Sequence, residues 1–201
     1  MSVYHKWNTI FVQVPKNASE SIHDAIRNPS DDSHDHRTMI DILNSNDPEL
    51  TDNYFSFGVV RNPYDRFVSC YEYMKQNSGY LWNPDFGTFI EDLTRRGPFF
   101  YVQEDIIWWP QHRFLTIKNI VLVDRIIKFE NLEKEWPEIV KEIDKRTPVG
   151  FTRPPVHLRR MNVTSPHRKL HDHWEEYYTS ELKEKVYNLY KKDFRMFGYE
   201  K

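Results

Sequence analysis

Residues 10–22 read Ile-Phe-Val-Gln-Val-Pro-Lys-Asn-Ala-Ser-Glu-Ser-Ile, an apolar, β-branched run that breaks at Pro15 into a loop of lysine and hydroxyl residues. Such a run bounded by proline reads as a buried strand, and the residues after the loop begin a helix. The first N–H groups of that helix lack intrahelical partners and lie at the positive end of the macrodipole. A phosphate or sulfate there gains several donors at once. Lys16 adds a fixed charge, and Ser19 and Ser21 add hydroxyls. The competing reading is an ordinary strand-to-helix turn capped by Asn17 or Ser19.

A triphosphate is too large for this cradle. The phosphate loop of nucleoside triphosphatases needs glycines to wrap the β-phosphate and places lysine directly before Ser/Thr at the helix start. No glycine occurs between Ile10 and Ile22, and Lys16 precedes the helix by a turn.

A second strand, Tyr54-Phe-Ser-Phe-Gly-Val-Val60, ends in the same manner and delivers Arg61-Asn-Pro-Tyr-Asp-Arg-Phe-Val-Ser69-Cys-Tyr. Pro63 suits a first helical turn and Asn62 its cap. Ser69 then lies about two turns beyond Asn62 on the same helix face. A guanidinium that binds two oxygens, with a hydroxyl on that face, suits a phosphate monoester. The alternative is that Arg61 pairs with Asp65 and Ser69 merely packs.

At these residues the chain resembles the carbohydrate (Golgi-type) sulfotransferases that use 3′-phosphoadenosine 5′-phosphosulfate. Pro15-Lys16-Asn17-Ala18-Ser19-Glu20-Ser21 is similar to their 5′-phosphosulfate loop, and Val60 through Tyr71 to their 3′-phosphate segment, with Arg61, Pro63, Arg66, Ser69 and Tyr71 in register. Val121 through Leu132 resembles the family's strand, Phe-Glu-Asn-Leu and helix; Tyr178 through Tyr199 resembles its closing helix. Arg160-Met-Asn162-Val-Thr164 falls where many members carry an element that closes over the nucleotide. The resemblance implies donor contacts from Lys16, Asn17, Ala18, Ser19, Glu20, Ser21, Ile22, Arg61, Ser69, Asn162 and Thr164. Glu20 departs from the family's small residue or threonine, which makes Lys16, Ser21 and the backbone amides the stronger candidates; as an acidic residue in a first helical turn it suits the macrodipole. The implied fold is α/β, a three-layer P-loop-like arrangement with a central, mainly parallel sheet flanked by helices.

Sulfuryl transfer to a hydroxyl is mostly positioning and charge stabilisation, by analogy with phosphoryl transfer, plus removal of the acceptor proton. Lys16 is the candidate for charge on the leaving phosphate. The family's histidine base lies between the first helix and the second strand, and His34-Asp35-His36-Arg37-Thr38 occupies that interval here. His36 fits the register best and His34 is the reserve; imidazole titrates near neutrality and accepts a proton from a hydroxyl within reach. A solvated polar loop is the alternative. Tyr80-Leu-Trp82 and Ile107-Trp-Trp109-Pro-Gln-His112 are candidate acceptor walls, with Trp82, Trp109, His112 and Arg160 as substrate contacts, although aromatic side chains also fill cores. His167, His171 and His173 could suggest a metal, but the cluster lacks cysteine and the resembled chemistry requires none.

The rest of the sequence is read as one sulfotransferase domain over 1–201, with strands at 9–14, 54–60, 120–124 and 126–129. Helices are expected at 19–27, 38–44, 63–76, 86–96, 132–145 and 175–194, with irregular segments between. Strands separated by helices place ligands at the carboxyl edge of a parallel sheet, where both anion loops fall. The net charge of −2 disfavours broad capture of nucleic acid. The one cysteine, Cys70, excludes an intrachain disulfide framework and reads as a core thiol. The N-terminus has no apolar signal region and no stretch reaches membrane-span length, so the expectation is a cytoplasmic or otherwise soluble protein, or a Golgi-lumen domain trimmed from its anchor. A P-loop kinase or NTPase, and an inactive nucleotide- or glycan-binding relative, are the alternative classes. The expected partner is a hydroxyl-bearing acceptor, a carbohydrate by resemblance; the oligomeric state is not legible.

Overall fold

A computed structural model describes residues 2–27, 35–46, 48, 52–77, 84–96, 106–151, 154–159, 161 and 170–201. Its regular elements are β1 (Val3–Tyr4), β2 (Thr9–Val12), α1 (Ser19–Ile26), α2 (Met39–Asn44), β3 (Phe55–Val60), α3 (Pro63–Asn77) and α4 (Phe86–Arg96). After these come α5 (His112–Leu115), β4 (Thr116–Ile117), β5 (Ile120–Val121), β6 (Arg125–Lys128), α6 (Leu132–Arg146) and α7 (Ser180–Phe197). They fall into two compact units, one of Met1–Val60 with Gln111–Asn162 and one of Arg61–Pro110 with Val163–Lys201.

The first unit holds the central sheet, in the order β1-β2-β3-β6. β2, β3 and β6 run parallel, and β1 adds an antiparallel edge. Every residue of β3 is buried, as a parallel strand covered on both faces requires. Alternation sends Phe55, Phe57 and Val59 to one face, where they meet Phe11 and Ile127, Ile22 and Ile26 of α1, and Trp136, Ile139, Val140 and Ile143 of α6. The Phe11 and Phe57 rings stack with centroids 4.8 Å apart. On the other face Gly58 lies under Leu115 of α5, so close that a Cβ there would clash with Leu115 Cδ2. The mainly parallel sheet flanked by helices is the expected α/β fold.

Several boundaries differ from the sequence reading. β2 stops at Val12 because the Val14 N–H turns back to the Val12 carbonyl at 3.0 Å. The strand expected over 120–124 ends at Val121 and pairs with Thr116–Ile117 in a separate hairpin. Lys118 and Asn119 make its turn at φ 46° and 72°, positive at both central positions as such turns require. Asp124 then redirects the chain, its carboxylate accepting from Ser56 N and Oγ at 2.7 and 2.8 Å. The closing helix begins at Ser180, where the Thr179 side chain accepts from Leu182 N at 3.2 Å. Residues Trp174–Tyr177 form a separate 3-10 turn. β1 was not anticipated; two residues carry too little pattern to read.

The second unit packs α3, α4 and α7 around an aromatic core of Tyr64, Phe67, Phe89, Trp108, Tyr190 and Phe194. Asn62 accepts from Tyr64 N at 3.0 Å, the helix start that its sequence predicts. Arg66 is buried and donates from Nη2 to the Ile107 carbonyl at 2.8 Å, while Tyr190 Oη donates to the Trp108 carbonyl at 3.0 Å. Ile107 and Trp108, read as parts of an acceptor wall, therefore belong to this core, as does Cys70. Burial pushes the Tyr64 and Tyr71 phenols up to about 12, with the nearby Glu184 and Glu72 carboxylates, respectively, adding to the effect.

Candidate active site

In the first unit the loop after β2 contains no glycine, yet Lys16 and Ala18 both adopt left-handed conformations, at φ 67° and 60°. Each costs roughly 1–2 kcal/mol for a residue with a Cβ. Ala18 is the N-cap of α1 and supplies no side-chain cap, so the reading of a turn capped by Asn17 or Ser19 does not hold. Asn17 instead turns inward: its Nδ2 donates to the Val59 carbonyl at 2.8 Å and to Gln111 Oε1 at 2.7 Å. The first intrahelical bond is Ile22 N to Ala18 O, at 3.1 Å, so the N–H groups of Ser19, Glu20 and Ser21 precede it. Half-buried Lys16 and the first-turn hydroxyls accompany them. This donor set fits a sulfate or phosphate.

Three further residues of the same stretch have distinct placements. Ile22 has its side chain in the core and its N–H bonded within the helix. Glu20 is half-buried in the first turn, the end of the helix that favours a carboxylate. Ser21 Oγ accepts from Met161 N at 3.0 Å, which brings that residue beside the start of α1.

His36 belongs to a stretch fixed from both sides. Ser2 Oγ donates to the Asp35 carbonyl at 3.2 Å, Arg37 pairs with Asp35 at 2.6 Å and reaches Ser45 Oγ at 2.7 Å, and Thr38 closes a capping box with Asp41 at the start of α2. Half-buried between them, His36 donates from Nδ1 to the main-chain oxygen of Gln13 at 2.7 Å. Gln13 lies three residues before Lys16, so the candidate base and the candidate cation are referenced to the same strand end.

In the second unit Arg61 follows β3 directly and grips Asp65 with Nε and Nη2, both at 2.7 Å. The pairing alternative is thus realised for Arg61. Ser69 is half-buried on α3. Trp109 is half-buried in the second unit, and His112 is half-buried at the start of α5 in the first. His34, Trp82, Arg160, Asn162, Thr164 and His167 lie outside the described residues, whereas His171 and His173 are exposed.

Sequence reasoning missed Gln13 as an organiser of the site and Gln111 as an anchor of the Lys16 loop. Both are polar side chains fully buried from solvent. Gln13 had a readable signal, an amide interrupting Ile-Phe-Val and Val. Gln111 lay within the stretch read as an acceptor wall, and its bond to Asn17, 94 residues away, left no local signal.

An α/β sheet with a cationic loop and a helix amino terminus at its carboxyl edge is an arrangement in which many such folds hold anionic ligands. A family model described as the sulfotransferase family matches residues 3–200, and the chain belongs to that family. Sulfuryl transfer is the chemistry that this membership brings. No curated protein and no solved structure matches the chain. Among the described residues, no helix is long and apolar enough to cross a membrane.

Proposed function

We propose that the protein moves a sulfuryl group from 3′-phosphoadenosine 5′-phosphosulfate to a hydroxyl of a carbohydrate acceptor. The observation that carries this reading is the pairing of His36 with Gln13, which refers an imidazole to the strand end that bears the Lys16 loop. Lys16, the α1 amides and the Ser19 and Ser21 hydroxyls hold the 5′-phosphosulfate. The resemblance of Val60 through Tyr71 assigns the 3′-phosphate to Ser69 and to Arg61, whose guanidinium Asp65 orients. His36 accepts the acceptor hydroxyl's proton on Nε2 as that oxygen bonds to sulfur; the sulfur–oxygen bond to the 5′-phosphate breaks, and Lys16 offsets the charge left on adenosine 3′,5′-bisphosphate. The carbohydrate class is supported by the resemblance of both anion segments and by the partial exposure of Trp109.

Turnover of labelled donor across an acceptor array tests the reaction and identifies the acceptor. Lys16→Ala and His36→Ala are each expected to lower kcat by about 100-fold or more. Adenosine 3′,5′-bisphosphate should raise the melting temperature where ATP with magnesium does not. No shift at millimolar adenosine 3′,5′-bisphosphate would sink the donor assignment, and the reverse preference would favour a kinase.

A further inference from the structure

We infer that Gln13, held from behind by Tyr4 and His23, is a positioning residue that sets the tautomer of His36; this rests on the reading of His36 as the base. A carbonyl oxygen only accepts, so the 2.7 Å contact between His36 Nδ1 and the Gln13 main-chain oxygen places a proton on Nδ1. A neutral imidazole has one N–H, and Nε2 is therefore the nitrogen with the lone pair. The bond fixes the ring's orientation as well as the site that receives a proton.

What holds the carbonyl in place is a buried polar chain. Gln13 is 0 % exposed, and its Nε2 donates to Tyr4 Oη at 3.0 Å. Tyr4 Oη is in turn hydrogen-bonded to His23 Nδ1 at 2.7 Å, with Tyr4 and His23 only 1 % and 5 % exposed. Three polar side chains sealed from water gain stability by bonding to one another, and each bond restricts the next. They come from three elements: Tyr4 from edge strand β1, Gln13 from the residue after β2, and His23 from α1. The chain therefore references β1 and α1 to one residue, and that residue's carbonyl orients the ring of His36. Lys16 lies three residues further on, so leaving-group charge and acceptor proton are handled from one fixed point.

The experiment uses the full chain with 15N-labelled histidine. Long-range proton–nitrogen correlation of His36, assigned by its loss in His36→Ala, reads the tautomer directly. The wild-type ring is expected in the Nδ1–H form. In Tyr4→Phe, which removes only the hydroxyl, the two ring nitrogens should move toward the averaged shifts of mixed tautomers. The kcat should fall about 10–100-fold, by analogy with the loss of an outer partner that orients a metal-ligating histidine. The donor KM and the affinity for adenosine 3′,5′-bisphosphate should change less than about twofold, because anion binding does not use the tautomer. Gln13→Met, close in length and without the amide, should repeat the pattern. A wild-type His36 in the Nε2–H form overturns the inference without any variant having to fold, as does an unchanged tautomer in folded Tyr4→Phe. If the tautomer behaves as stated while His36→Ala keeps the wild-type kcat, it is the base assignment that fails.

Discussion

The side-chain amide of Asn17 donates to the main-chain carbonyl of Val59 at 2.8 Å, tying the Lys16 loop to the penultimate residue of β3. The same nitrogen reaches Gln111 Oε1. Asn17→Ala leaves both acceptors without this donor, each at a cost of about 1–3 kcal/mol. Urea unfolding should show a loss of about 2–4 kcal/mol. Asn17→Asp should be worse, because a carboxylate then faces two acceptors; an Asp variant as stable as wild type would show that the amide bonds contribute nothing.

Arg61 uses its planar fork on Asp65, a geometry that lysine cannot reproduce. Arg61→Lys is expected to raise the KM for 3′-phosphoadenosine 5′-phosphosulfate about 10–100-fold, the value of one or two charge-assisted bonds. The KM for adenosine 5′-phosphosulfate, which lacks the 3′-phosphate, should hardly move. Equal losses for both donors would place Arg61 away from the 3′-phosphate. Asp65→Asn should change stability by less than about 1 kcal/mol, since the pair is partly solvated.

Gly58 has no room for a methyl group beneath Leu115. Gly58→Ala should destabilise by about 1–3 kcal/mol through overpacking. Leu115→Ala in the same chain should recover part of that loss, visible as a favourable coupling in a double-mutant cycle. Strict additivity would mean that the sheet, and not Leu115, resists the substitution.

These sites mark where the sequence is informative. The runs that became β2 and β3 were readable because burial on both faces writes continuous apolar stretches, and the start of α3 was readable because Asn62 and Pro63 carry its local chemistry, whereas α1 starts at Ala18 without a side-chain cap. The hairpin at Lys118–Asn119 was not, because its positive φ angles occur without glycine. Nor was the start of the last helix, where Tyr177 keeps helical spacing with Leu182 and Val186 but sits in a separate turn, its hydroxyl donating to Glu72 at 2.7 Å. At the candidate site, Lys16 follows from residue type and its place after a strand, and His36 from the family resemblance. The roles of Asn17, Gln13 and Gln111 depend on partners remote in the chain, which one-dimensional pattern does not record.

The two phenols on α3 make an alkaline prediction. In the unfolded chain Tyr64 and Tyr71 ionise at the ordinary phenol value of 10.0, and burial in the folded protein pushes both up to about 12. Between those values the unfolded state binds fewer protons, so stability is full below the lower value and falls as pH rises through the window. Urea midpoints should decline over that range, and Tyr64→Phe or Tyr71→Phe should shallow the decline. Tyrosinate absorbance that rises fully near pH 10 in the folded protein would contradict it.

Lys16 and Ala18 reach the left-handed region without glycine's freedom. A glycine loop visits many shapes and is drawn into one by its ligand, whereas side chains close off most of those alternatives beforehand. The fold carries the strain, and an anion bound there as proposed would meet a surface already set. Encounter and recognition then become a single event, with an observed association rate that climbs linearly with donor concentration and reaches no plateau from a slow rearrangement.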